Sequence, residues 1–343
     1  MTRLSPRVLG YGMCGVLTGL VLLARFGGAG HTVVFVVAAL ALVALAWLIG
    51  LATEELGASL GPRLGGVLNA TCGNAPELII GFFALRAGLV TVVKASITGS
   101  ILGNLLLVLG ASTLAGGLRH GTQTFSKSVA GIYSTMLVLA VTGLFVPAIF
   151  AGSLGLEHGA QIRHLSDGVA LILIVIYVLS LVSFFSNPEE GEGPVVAEVA
   201  AEVAVEEGAP WPSARAALVL AGAAALTAWV SEILVHALEP TIAGWDLSEV
   251  FAGVILIPIV GNITEHLVGV QLALRNKMEF SMVVSVGSSL QVALFVAPVL
   301  MLVSHIVGVP MDLVFSQLEL GTVALTVVLV ALIALDGESN WFE

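Results

Sequence analysis

Apolar residues run in stretches of about twenty along almost the whole chain, separated by short polar intervals. Stretches such as VVFVVAALALVALAWLIGLA at 33–52 show no alternation of period two, so they read as helices rather than barrel strands. Ten spans are predicted, at 8–24, 33–52, 64–86, 91–115, 126–150, 166–185, 214–237, 248–273, 280–305 and 313–335. The expected fold is all-α, a polytopic membrane bundle of about ten transmembrane helices, because only backbones that satisfy their own hydrogen bonds cross lipid.

Composition sharpens this picture. Of 343 residues 58% are hydrophobic and 10% charged, and the mean hydropathy is +1.07. Sorting Lys and Arg to alternate sides puts Arg3, Arg7, Arg63, Arg119, Lys127, Arg215, Arg275 and Lys277 with the N-terminus. Only Arg25, Arg86, Lys94 and Arg163 fall opposite, so the N-terminus is expected in the cytoplasm. The basic start MTRLSPR leads into an apolar run with no small-residue cleavage site, which predicts a retained first helix. That short N-terminus points to a prokaryotic plasma membrane. Cys14 and Cys72 both lie in apolar segments and read as small buried hydrophobes.

Residues 187–212 interrupt the apolar pattern with seven glutamates and no basic residue. They divide the chain into an N-terminal helix (1–30), a first half (31–186), this acidic cytoplasmic loop and a second half (213–343). Glu198, Glu202 and Glu206 recur every four residues, so a helix over about 195–207 would align them on one face. A solvated linker and a regulatory, cation-gathering helix are both open readings. The net charge of −11 favours cations and repels anions, so no nucleic-acid partner is expected.

The chemistry lies in a repeat. GNAPELIIGFFALR at 73–86 and GNITEHLVGVQLALR at 261–275 align Gly73 with Gly261, Asn74 with Asn262, Glu77 with Glu265 and Gly81 with Gly269. After a one-residue shift Arg86 meets Arg275, Ser96 meets Ser285 and Ser100 meets Ser289. The motifs fall on the third and eighth spans. Five spans is an odd number, so the copies cross the membrane in opposite directions, an inverted-topology repeat typical of secondary transporters.

Within each motif Asn and Glu share a helix face. At the rise of an α-helix Glu77 lies about 20 Å into its span and Glu265 about 25 Å, both inside a hydrocarbon layer of about 30 Å. An intramembrane carboxylate is a functional candidate by default. Pro76 and Pro258 deprive the carbonyls of Cys72 and Val254 of helical partners, which offers oxygen ligands. Ser100 and Asn104 on the fourth span, and Ser289 and Gln291 on the ninth, extend the polar shell. Taken singly, each serine reads equally well as helix packing.

Two carboxylates neutralise a divalent ion, and amide and carbonyl oxygens suit the hard, flexible coordination of Ca2+ better than the strict octahedron of Mg2+. Sparse Cys and unclustered His argue against Zn2+ or Cu+. Paired carboxylates in a low dielectric resist ionising without their cation, so protons are expected to replace it when it leaves. Glu232, Glu319 and His266 are candidates for a proton pathway or gate. No enzyme activity and no resident cofactor are expected.

Both motifs, with GSILGNLLLVLG at 99–110 and GSSLQVALFVAP at 287–298, resemble the signature repeats of the calcium/proton exchanger (CAX) family of the cation/calcium exchanger superfamily. The likeness covers almost the whole chain, including the acidic loop and Ser231–Glu232. It implies an alternating-access bundle that exchanges Ca2+ for H+, with Glu77 and Glu265 as cation ligands and Asn74, Asn262, Ser100, Asn104, Ser289 and Gln291 beside them. His266 matches the form found in proton-coupled members. Pro76 departs from the family's usual residue, and the resemblance implies a final, eleventh helix after LDGESNWFE that this sequence does not contain. A Na+-coupled Ca2+ exchanger and a passive cation channel remain rival readings. A homo-oligomer is compatible with the sequence.

Overall fold

The structure, a computed structural model, describes residues 6–154, 159–186 and 211–342. The apolar runs wind into helices α1 (Pro6–Phe26), α2 (His31–Leu60), α3 (Pro62–Cys72), α4 (Ala75–Arg86) and α5 (Val90–His120). They continue in α6 (Lys127–Leu154), α7 (Gly159–Ser186), α8 (Ser213–Gly244), α9 (Glu249–Leu274), α10 (Met278–Val307) and α11 (Gln317–Ile333). Eight of these are long and apolar enough to cross a membrane, among the described residues. The two short pieces α3 and α4 together replace the predicted third span, and the 17-residue α11 occupies the tenth. A two-residue strand, β1 (Gln123–Thr124), pairs antiparallel with β2 (Glu338–Ser339) and ties the α5–α6 loop to the segment after α11.

The halves depart from one another at their motif helices. The first is broken: α3 stops at Cys72, Asn74 leaves helical geometry at φ −86°, ψ 9°, and Pro76 sits in the opening turn of α4, where its missing N–H costs nothing. The second runs unbroken over Ile257–Leu274. There Pro258 follows a π-helical turn at Ala252–Leu256, a widened turn that accommodates the missing donor. Similar π turns interrupt α5 at Gly103–Val108 and α10 at Val292–Val296.

Small residues set how closely the helices approach. Gly57 of α2 and Gly65 of α3 meet backbone to backbone, since a Cβ on Gly65 would lie 3.1 Å from the Gly57 Cα. Gly81 packs under Leu300 of α10, while its repeat counterpart Gly269 packs under Val108 of α5. Side chains without bulk let helices associate by close packing where lipid offers no hydrophobic drive. Fully buried Leu42, Leu45, Ile80, Leu85, Ile97 and Ile101 fill the space behind these contacts.

At the end of the bundle that carries the N-terminus, Glu55 joins three segments. It pairs with Arg7 at 2.9 Å and accepts a hydrogen bond from the Trp211 backbone N–H at 2.7 Å. Trp211 lies at the end of the acidic loop and is the first described residue after Ser186, and Arg215 lies over its ring at 4.5 Å. Glu55→Ala leaves a buried N–H without its acceptor, so thermal unfolding in detergent should show a loss of about 1–3 kcal/mol.

Candidate functional site

The motif glutamates are brought together by the crossing of the two motif helices. Glu77 stands in the first turn of α4, immediately past the break, and is 9% exposed. A Cβ placed on Gly261 of the opposite motif would lie 3.1 Å from Glu77 Cγ and 3.4 Å from its Oε1. Reciprocally, a Cβ on Gly73 would lie 4.0 Å from Glu265 Oε1. Gly261 therefore makes room for Glu77, while Gly73 lies at contact distance from Glu265.

The two asparagines repeat this reciprocity. Asn74 Nδ2 donates across the break to the Ala70 carbonyl of α3 at 3.1 Å and to Gln291 Oε1 of α10 at 2.6 Å. Asn262 Nδ2 donates to the Pro258 carbonyl at 3.1 Å and to Ser100 Oγ of α5 at 3.0 Å. A primary amide has two N–H donors, and in each case both are committed, which leaves Oδ1 as an acceptor. Asn104 of α5 donates to Ser288 Oγ at 3.0 Å. Ser289 Oγ donates to the Ser285 carbonyl at 3.0 Å.

Buried oxygens without a protein partner gather here: both carboxylate oxygens of Glu77, and Oδ1 of Asn262 and Asn104. Buried polar atoms are almost always paired, so a cluster of bare acceptors marks a place where something else supplies the positive end. Their type is uniformly hard oxygen. No group of three or more His, Cys, Asp or Glu side chains assembles among the described residues. Amide and carboxylate oxygens of this kind suit an alkaline-earth cation.

The other sequence candidates have separate engagements. Glu232 of α8 faces Arg86 at the end of α4, 3.7 Å away. Glu319 closes a capping box at the start of α11 with Ser316 and also accepts from Thr98 Oγ1 at 3.0 Å. His266 turns away from Glu265 toward α5, its Nε2 3.9 Å from where a Cβ on Gly103 would stand. The Val254 carbonyl, expected as a free ligand, is turned against the backbone of α5 at Gly99, because the π turn redirects it. Glu198, Glu202 and Glu206 lie outside the described residues. One contact escaped the sequence reading: Thr264 Oγ1 donates to Glu265 Oε2 at 3.0 Å. A hydroxyl directly before a motif acid was the available signal.

Residues 30–186 and 215–343 match the family described as sodium/calcium exchanger protein. A Ca(2+)/H(+) antiporter of Aphanothece halophytica is 43% identical over 321 residues, covering 90% of this chain and 85% of its own length. The Ca(2+)/H(+) antiporter ChaA of Bacillus subtilis is 42% identical over 312 residues, with 91% and 87% covered. The solved structure of native YfkE superposes with a TM-score of 0.81 at 36% identity, covering 97% of this chain and 94% of that one. A crystal structure of the H+/Ca2+ exchanger CAX shares the fold, with a TM-score of 0.74 at 17% identity over 96% of this chain and 83% of its own. With a family match over both halves and antiporters 42–43% identical over nine-tenths of its length, the chain belongs to the sodium/calcium exchanger family, in its calcium/proton exchanger (CAX) branch.

Proposed function

We propose that this chain is a secondary antiporter that exchanges Ca2+ for H+ by alternating access, the cation and protons competing for Glu77 and Glu265. The observation that carries the reading is the reciprocal placement of each acid against the opposite motif's glycine, beside asparagine oxygens freed by their own hydrogen bonding. Two carboxylates balance one divalent charge. In its absence the same two groups, buried beside each other, are neutralised by protons. Loading by one species thus excludes the other, which is the coupling an exchanger needs. Gln291 and Ser100 hold the asparagines in register from the neighbouring half. The names and 42–43% identity of the bacterial relatives support the same substrates.

We place the protein in a prokaryotic plasma membrane with its N-terminus and acidic loop in the cytoplasm, on the distribution of Lys and Arg. The deciding measurement is Ca2+ uptake by proteoliposomes under an imposed pH gradient. Uptake that a protonophore abolishes supports the proposal. Uptake driven by a Na+ gradient and indifferent to protonophore makes the chain a sodium-coupled exchanger, and downhill Ca2+ flux with no counter-ion makes it a channel. In the same assay Glu198→Gln should transport at the wild-type rate, since its charge belongs to the loop between the halves.

A further inference from the structure

At the end of the bundle away from the N-terminus, the segment between α10 and α11 crosses the helix ends as a strap that is not helical from Val309 to Ser316. Every second side chain along it, Met311, Leu313 and Phe315, is buried. Such a backbone needs partners for its own polar groups, and side chains of three helices supply them. The Met311 N–H donates to Ser304 Oγ of α10 at 2.9 Å and the Leu313 N–H to Ser166 Oγ of α7 at 3.1 Å. From α5, Lys94 pairs with Asp312, and its Nζ donates to the Val314 carbonyl at 3.0 Å. The strap is thus fixed to its surroundings before it reaches α11.

One turn further along α5, on the same face as Lys94, stands the wholly buried Thr98. Its Oγ1 lies 3.0 Å from Glu319 Oε1 of α11 and 3.1 Å from the Ala95 carbonyl; a hydroxyl has one proton to give, and the carboxylate is the stronger acceptor. Glu319 Oε2 accepts the Ser316 N–H at the end of the strap, at 2.9 Å. Both oxygens of this acid are therefore engaged. Residues two apart on a helix point about 200° apart, so Thr98 and Ser100 leave α5 on nearly opposite sides. Ser100 Oγ receives Asn262 Nδ2 of α9 at 3.0 Å. The regular stretch Val90–Leu102 is accordingly bonded to the strap and α11 behind, and to the site in front.

We propose that Glu319, acting through Thr98, is a positioning residue for the cation site. Together with Lys94 and the strap it fixes the height and rotation of α5, so that Ser100 holds Asn262 with its bare Oδ1 turned to the ion. This assignment rests on the exchanger reading above and gives an acid outside the two motifs a task other than carrying protons. The brace serves one half of the site. In the repeat the place of Thr98 is taken on α10 by Gly287, which has no hydroxyl, and Asn74 is instead met by the longer side chain of Gln291.

Thr98→Val removes the hydroxyl while keeping shape and charge. Binding of radiolabelled Ca2+ in detergent should weaken about tenfold, and the KM of pH-driven uptake in proteoliposomes should rise by about the same factor, with the maximal rate within about twofold of wild type. Thr98→Ser restores the hydroxyl and should bind as wild type does. A brace needed for folding alone would lower the yield or the melting temperature and leave KM where it was. Lys94→Gln cuts the neighbouring bond to the strap and should show the same split, which keeps the test open if Thr98→Val does not assemble. Unchanged affinity, a fall in maximal rate alone, or Thr98→Ser as weak as Thr98→Val overturns the assignment. Failure of both Thr98→Val and Lys94→Gln to assemble overturns it too, since the strap would then be purely structural. A wild-type protein that binds Ca2+ without pH-driven uptake would instead overturn the exchanger reading, and the binding comparison would still decide the role of Glu319.

Discussion

Glu265→Gln should reduce proton-driven Ca2+ uptake to background, and so should Glu77→Gln, while both variants remain folded. Glutamine keeps the shape and one oxygen but removes the charge. Attraction between unit charges about 4 Å apart is about 4 kcal/mol at an effective dielectric of about 20, and a divalent ion doubles it. Loss of a single carboxylate therefore weakens binding by roughly a thousandfold or more. No neighbouring acid can substitute, because Glu232 is turned to Arg86 and Glu319 closes its own helix cap. Equilibrium Ca2+ binding, measured in detergent alongside transport, checks the origin of the defect. Either variant retaining wild-type uptake would show that one carboxylate suffices, and the paired-acid site would be wrong.

The second large effect is structural. Gly99→Val should abolish accumulation of folded protein, because a Cβ at Gly99 overlaps the Val254 backbone and cannot be relieved by rotating a side chain. Across the same contact, a Cβ on Gly253 would lie 2.6 Å from the Val92 carbonyl oxygen. The two glycines let α5 and α9 cross at the level where Ser100 receives Asn262. Forcing them apart costs overpacking energy of about 1–3 kcal/mol and breaks that hydrogen bond as well, which adds about 1 kcal/mol. Gly110→Val, on the same helix with open space around it, is the matching control and should accumulate normally. Size-exclusion profiles of the two variants give the comparison.

Much of this architecture is written in the chain as spacing. The spans are legible because lipid demands long apolar runs, but the break in the first motif is not, since Gly and Pro flank both motifs and only the first helix parts there. The acids are legible because a charge at membrane depth has no passive explanation. What a linear reading misses are relations between helices. Asn74 reaches Gln291 and Asn262 reaches Ser100, exchanges that depend on how two halves cross and not on any local preference. The π turns are equally hidden, because an added residue in one turn leaves the hydrophobic pattern almost unchanged, yet one of them turns the Val254 carbonyl away from the site.

The break in only one of the twinned helices limits how the halves can trade roles. A mirror-image swap of conformations would require the α3–α4 junction to become continuous while α9 snaps open. Pro76 opposes the first step, having no N–H for the Cys72 carbonyl and a ring that crowds it, a cost of about 3 kcal/mol unless a π turn like the one before Pro258 forms. Under the exchanger reading proposed above, the two open forms of the bundle are then unlike in shape, an asymmetry that begins at a single imino acid.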